Sequence, residues 1–188
     1  MAKLMEAVYG DALLEMGREQ GILKKLLEEA ELLLEILKEN PEFSLFLNHP
    51  RIGMDEKMHT METIFQEIEP GRKKKEILSR EMLGFLKVVV EKRRQDVLEK
   101  ILLYFINEAK EFFHIGVVYV TSPMEMTAKQ KKAVENRILE ITSYETLEIH
   151  YQIDSSLIGG LVIRIKDQVA DSSVKNKLER MKQQLMSL

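Results

Sequence analysis

Four groups of residues have types and spacings that could do chemistry. Glu56-Lys-Met-His59 and Glu111-Phe-Phe-His114 both read E-x-x-H. Two such pairs, with two further glutamates on facing helices, would make the carboxylate di-metal centre of a helical bundle. The paired Gly159-Gly160 between apolar runs would suit a phosphate loop if they led into a helix N-terminus. Arg72-Lys-Lys-Lys75 is basic enough to touch an anionic surface, and Ser155, Ser156, Ser172 and Ser173 are nucleophiles in type.

Each group also has a plainer reading. The chain carries 25 glutamates, so an E-x-x-H spacing arises easily by chance. His114 stands at the end of its helical run against Ile115-Gly116, whereas a di-metal ligand belongs in mid-bundle. The glycines lead into a strand-like run, which favours a bulge or a close backbone approach over a phosphate site. The basic run lacks interleaved aromatics and reads as a solvated turn. No serine lies in a G-x-S-x-G elbow. No catalytic constellation, metal site or cofactor site is expected.

Composition narrows the class further. With 188 residues, 45% hydrophobic and 31% charged, the chain is long enough for two modest folded domains. A net charge of -3 argues against a nucleic-acid partner. Without cysteine there is no disulfide framework and no thiolate chemistry. No apolar run approaches the roughly 18 residues that span a bilayer, and the first residues lack the layout of a secretory signal. The expectation is a bacterial cytoplasmic protein that meets a membrane only through partners.

The elements follow from periodicity. From residue 3 to about 39, apolar residues recur every three or four positions. Leu4, Val8, Ala12 and Met16 form one stripe with Met5 and Leu13 beside it, and a second series runs from Leu23 to Leu37 after Gly21. Pro41 stops that second helix. A short helix around Phe43 to Leu47, a fourth from about Asp55 to Ile68 closed by Pro70-Gly71, and two more through Ile77 to Val90 and Val97 to Ile106 complete a six-helix N-terminal bundle.

After Phe113 the period changes. Ile115 to Thr121 is β-branched and aromatic, Thr127 is an N-cap for a helix to Ile141, and Leu147 to Ile153 alternates. Leu161 to Ile165 and Gln168 to Ala170 are further strands, and Ser173 to Leu188 is a closing helix with Val174, Leu178, Met181 and Leu185 on one face. That stripe suits either the domain core or a partner, with the core favoured. The fold class is therefore mainly α with a smaller α/β part: residues 1–110 a helical bundle, residues 111–188 a small α/β domain. Asp154 and Asp171 read as turn and cap residues around the glycine-containing strands.

Several blocks together resemble a known family. D-S-S-L-I-G-G-L-V-I-R-I-K-D-Q-V-A-D-S-S-V-K-N-K-L-E-R-M, from Asp154 through Gly159, Gly160, Asp167 and Asp171, resembles the C-terminal motif of the delta subunit of bacterial F-type ATP synthases, the counterpart of the mitochondrial oligomycin-sensitivity-conferring protein. A-V-Y-G-D-A-L-L-E-M is similar to that family's first helix, F-L-K-V-V-V-E-K-R-R-Q-D-V-L to its fifth, and V-T-S-P-M-E-M-T-A-K-Q to its first C-terminal strand and following helix. These blocks keep the family's order across nearly the whole chain. It departs at Lys166 and Ser172, where the family usually or often has glycine, so Lys166 must adopt another turn or accept strain.

The resemblance implies a non-catalytic stator subunit without a cofactor. The N-terminal bundle would sit on the catalytic head of alpha and beta subunits and take the alpha subunit's N-terminal helix between its first and fifth helices. The C-terminal domain would hold the C-terminal region of the b subunits, at the cytoplasmic face of the cell membrane, so that ion flow is coupled to ATP synthesis. Apolar surface spare on those helices suggests Tyr9, Ala12, Leu13, Leu86, Val89 and Val90 for the alpha contact. Val174, Leu178, Met181 and Leu185 are the candidates for the b contact. The rival expectation remains a helical-bundle protein with a carboxylate di-metal site.

Overall fold

The computed structural model describes residues 2–67, 75–76 and 78–186. The chain is mainly helical, with eight α-helices and a four-stranded sheet among the described residues, and it divides into two compact units, Met1–Lys110 and Glu111–Leu188.

The first unit contains α1 (Ala2–Glu19), α2 (Leu23–Glu39), α3 (Pro41–Asn48), α4 (Met54–Phe65), α5 (Arg80–Glu91) and α6 (Leu98–Phe112), the last running just past the boundary. Its core is set by repeats of three and four. Leu23, Leu26, Leu27, Ala30, Leu33, Leu34 and Leu37 of α2 are buried, as are Leu98, Ile101, Leu102, Phe105, Ile106 and Ala109 of α6. Gly21 ends α1 at φ 68, where Ile22 N–H donates to Gly17 O and Gly21 N–H to Arg18 O, satisfying the last carbonyls. Pro41 opens α3 at a position where its missing N–H costs nothing.

Two expectations need correction here. α4 stops at Phe65 rather than Ile68, because Gln66–Glu67 (β1) leave the helix to pair antiparallel with Lys75–Glu76 (β2). Ile68, Pro70-Gly71, Arg72 to Lys74 and Ile77 lie outside the described residues. On α1, the buried face is not the Val8, Ala12, Met16 stripe: Leu13 is 1% exposed while Val8 is 60% exposed. Gly10 and Gly17 flank Leu13 on the buried face. A Cβ at Gly10 would collide with the Tyr104 ring of α6, and one at Gly17 would sit 3.0 Å from Leu23 Cδ1. Close approach at two glycines decides which face goes inward, and Val8 and Ala12 stay outside.

The second unit is built on β3 (Ile115–Ser122), α7 (Ala128–Ile141), β4 (Thr146–Ile153), β5 (Val162–Ile165), β6 (Gln168–Asp171) and α8 (Val174–Met186). β3 and β4 are parallel, with α7 as the crossover, and β5 and β6 add antiparallel to give the order β4-β3-β5-β6. Alternate residues of β3 are buried, and Val118 and Val120 meet Ile138 of α7 with Ile149, Tyr151, Ile163 and Ile165 around them. Thr127 and Gln130 form a full capping box at the start of α7.

Candidate functional site

The two E-x-x-H pairs fall in different compact units. Glu56 and His59 lie exposed on α4. Glu111 forms an ion pair with Lys166 at 2.6 Å and accepts a hydrogen bond from the Tyr144 hydroxyl at 3.4 Å. His114 serves through its backbone: at φ 52 it turns the chain from α6 into β3, and its carbonyl accepts from Glu145 N–H at 2.9 Å. Among the described residues no group of three or more His, Asp or Glu side chains is placed to hold a metal.

The glycine pair shapes the second unit. Gly160 has φ 79, and a Cβ there would collide with the Ser172 carbonyl oxygen and lie 3.0 Å from Ser173 Cα. The close approach is therefore to the loop after β6 rather than between two strands. Around it, Ser172 N–H and hydroxyl both donate to Leu161 O, at 2.9 and 2.8 Å. Ser172 thus acts as a hydroxyl clip on Leu161. Asp154 accepts from Ser156 N–H and Asp171 from Ser173 N–H; the Ser156 side chain and then its N–H hold Asp154, and the Ser173 N–H first of all holds Asp171, below the ordinary value of 3.8. Asp171 is a turn residue, and the cap of α8 is its neighbour Ser173, whose hydroxyl accepts from Asn176 N–H at 3.2 Å. The S-x-x-N spacing was the available signal for it.

Lys166 and Asp167 form the two-residue loop between β5 and β6, and Lys166 takes φ 51, the strained alternative. Its ammonium is hydrogen-bonded by Glu111, which raises its pKa above the usual 10.5.

The candidate docking residues separate into two sets. Leu13, Leu86, Val89 and Val90 are buried, so they belong to the core layer of α1 and α5. Tyr9 is half-buried and Ala12 exposed, and the apolar surface left over on these helices is carried by Val8 and Val88, which sequence reasoning placed in a stripe and a run without singling out. On α8 the favoured core assignment is wrong: Leu178 is 54% and Met181 60% exposed, with Val174 at the exposed margin. The Leu185 side chain lies outside the described ones. The helix is attached to its unit chiefly at its first turn, where Val174 N–H donates to Gly159 O at 2.9 Å. Between α7 and the strands β5 and β6 runs an apolar groove of about 520 Å³ lined by Ile138, Ile141, Leu161, Ile163, Ile165 and Val169 among others. No helix among the described residues is long and apolar enough to cross a membrane.

Amphipathic helices with uncovered apolar stripes fit a docking protein. The comparisons agree. Residues 5–185 match the sequence model of the family described as ATP synthase delta (OSCP) subunit. The chain is 37% identical over its full length to ATP synthase subunit delta of Lachnoclostridium phytofermentans, covering 98% of that protein. It is 30% identical over 92% of its length to ATP synthase subunit delta of Trichormus variabilis, covering 89% of that protein. A chain in the cryo-EM structure of the Toxoplasma gondii mitochondrial ATP synthase hexamer shares the fold, with a TM-score of 0.72 at 19% identity, over 96% of this chain and 97% of that one.

The protein belongs to the ATP synthase delta (OSCP) subunit family. It is a peripheral-stalk subunit of the F-type ATP synthase with a structural role, not a catalytic one, and it is peripheral to the membrane as part of that complex. The di-metal alternative has no support.

Proposed function

We propose that the two units carry the two ends of the stator contact. The helices of residues 1–110 act as a six-helix bundle that takes the N-terminal helix of an alpha subunit of the catalytic head, and residues 111–188 hold the C-terminal region of the b subunits. The complex lies at the cytoplasmic face of the bacterial membrane, and holding the head still lets ion flow drive ATP synthesis. One observation carries this reading: each unit leaves the apolar stripe of an amphipathic helix uncovered, Val8 and Ala12 on α1 and Val174, Leu178 and Met181 on α8.

In the first unit Tyr9 and Ala12 make the contact with Val8 and Val88, while Leu13, Leu86, Val89 and Val90 form the layer that holds α1 and α5 in place. Ala12 lets a partner backbone come close, and Tyr9 supplies a rigid anchor. Calorimetry of the full chain with a peptide of the alpha subunit's N-terminal helix tests this. Val8→Asp puts a charge into the contact without touching the core and should weaken binding about tenfold or more. Val89 is fully buried, so a charge there would test folding rather than docking. Undiminished affinity of the Val8→Asp protein would remove α1 from the site.

A further inference from the structure

Ile158 is the strangest residue of the second unit. It holds φ 65 and ψ -41, a conformation β-branched side chains almost never adopt, and its side chain is 67% exposed. Backbone strain of this kind persists only where the surrounding structure imposes it, and here the outcome is an apolar group displayed to solvent. Its position gives that display a context. The next residue, Gly159, accepts the Val174 N–H and lies so close that a Cβ on it would be 3.0 Å from Val174 Cγ2. Ile158 therefore extends the uncovered stripe Val174, Leu178, Met181 beyond the N-terminal end of α8.

The charges on α8 say what kind of partner fits. At about 100° per residue, Lys175 and Lys182 line one edge of the stripe and Lys177 the other, while Arg180 and the single acidic residue, Glu179, fall towards the back. Lys175 and Arg180 already face Asp154 and Asp171 of their own unit. Lys177 and Lys182 form no ion pair among the described residues. An apolar seam with basic flanks on both sides is complementary to a helix whose apolar seam has acidic flanks, the arrangement by which paired helices choose partners.

We infer that Ile158 and the stripe of α8 form one docking surface for an amphipathic helix whose apolar seam is bordered by Glu and Asp. This rests on the reading that the second unit holds the b subunits, and it adds the partner's chemistry and Ile158 as a contact residue. The strain at Ile158 belongs to the free protein, and binding uses the side chain it exposes.

The test is calorimetry of the full chain with three probes: the C-terminal segment of the organism's own b subunit, and two synthetic amphipathic helices that share one apolar seam but carry Glu or Lys flanks. The Glu-flanked helix should bind about tenfold or more tighter than the Lys-flanked one, and a Lys177→Glu, Lys182→Glu protein should reverse that order. Ile158 is exposed, so Ile158→Asn should leave the thermal midpoint nearly unchanged while weakening binding about fivefold. If the b segment binds but neither flank sign nor Ile158→Asn matters, the inference is overturned and the stalk reading stands. If only the Glu-flanked helix binds, the surface is as inferred and the b-subunit reading is lost. If no probe binds, both fail.

Discussion

Glu29 on α2 and Ser79 at the start of α5 are fifty residues apart in sequence and are joined by two hydrogen bonds, Ser79 N–H to Oε1 at 2.9 Å and Ser79 hydroxyl to Oε2 at 2.6 Å. Both residues are buried, and the Ser79 oxygen also accepts from Met82 N–H at 3.3 Å. One hydroxyl thus caps α5 and ties it to α2, and the negative carboxylate stands where the helix dipole favours it. This pairing fixes where α5, with Val88 outward and Val89 inward, begins.

Ser79→Ala should therefore cost about 2 kcal/mol, more than an exposed cap, because it strands a buried carboxylate oxygen as well as Met82 N–H. Urea unfolding followed by circular dichroism checks this. A loss under about 0.5 kcal/mol would mean that water or Lys25, whose Nζ lies 3.7 Å from Glu29 Oε1, replaces the serine.

At the glycine pair the two positions should behave differently. Gly160→Ala forces a Cβ onto the Ser172 carbonyl in a left-handed residue and should cost about 2–4 kcal/mol. Gly159→Ala meets only the Val174 side chain, at 3.0 Å, and should cost about 1 kcal/mol or less. Equal costs in denaturant titrations would show that the close approach to the loop after β6 does not govern this turn.

What could be read from the sequence was local. Leu23 to Leu37 repeats with helical spacing over four turns, Thr127 and Gln130 carry both halves of a capping box three residues apart, and the β-branched and aromatic run from Ile115 to Thr121 is a strand. The family blocks identified the role. What escaped was decided between elements. Nothing near Glu29 marks Ser79 as its partner. The spacing of Leu4, Val8, Ala12 and Met16 is as good a stripe as the face that is buried, and only the glycines at 10 and 17 hint that helices approach there. On α8 an amphipathic pattern says that one face wants cover without saying whether its own unit supplies it. Ile158 has no sequence signal for its φ 65, ψ -41 backbone, since glycine would normally stand there.

The second unit should lose stability at both ends of the pH scale for separate reasons. Asp154 and Asp171 have folded pKa values lowered below 3.8, so their contribution is present above 3.8 and disappears as pH falls through the folded values. An Asp154→Asn, Asp171→Asn protein should show a flatter acid limb. Lys166 has a raised folded pKa, so its contribution is complete below 10.5 and fades as pH rises through the folded value. Its ion pair with Glu111 is exposed and worth little, whereas a lysine at φ 51 is strained by about 1 kcal/mol. Lys166→Gly should therefore stabilise the protein by about 0.5–1 kcal/mol at neutral pH while removing its share of the alkaline loss. Unfolding curves from pH 3 to 11 compare the three proteins. A Lys166→Gly protein less stable than its parent at pH 7 would mean that Glu111 contributes more than the strain costs.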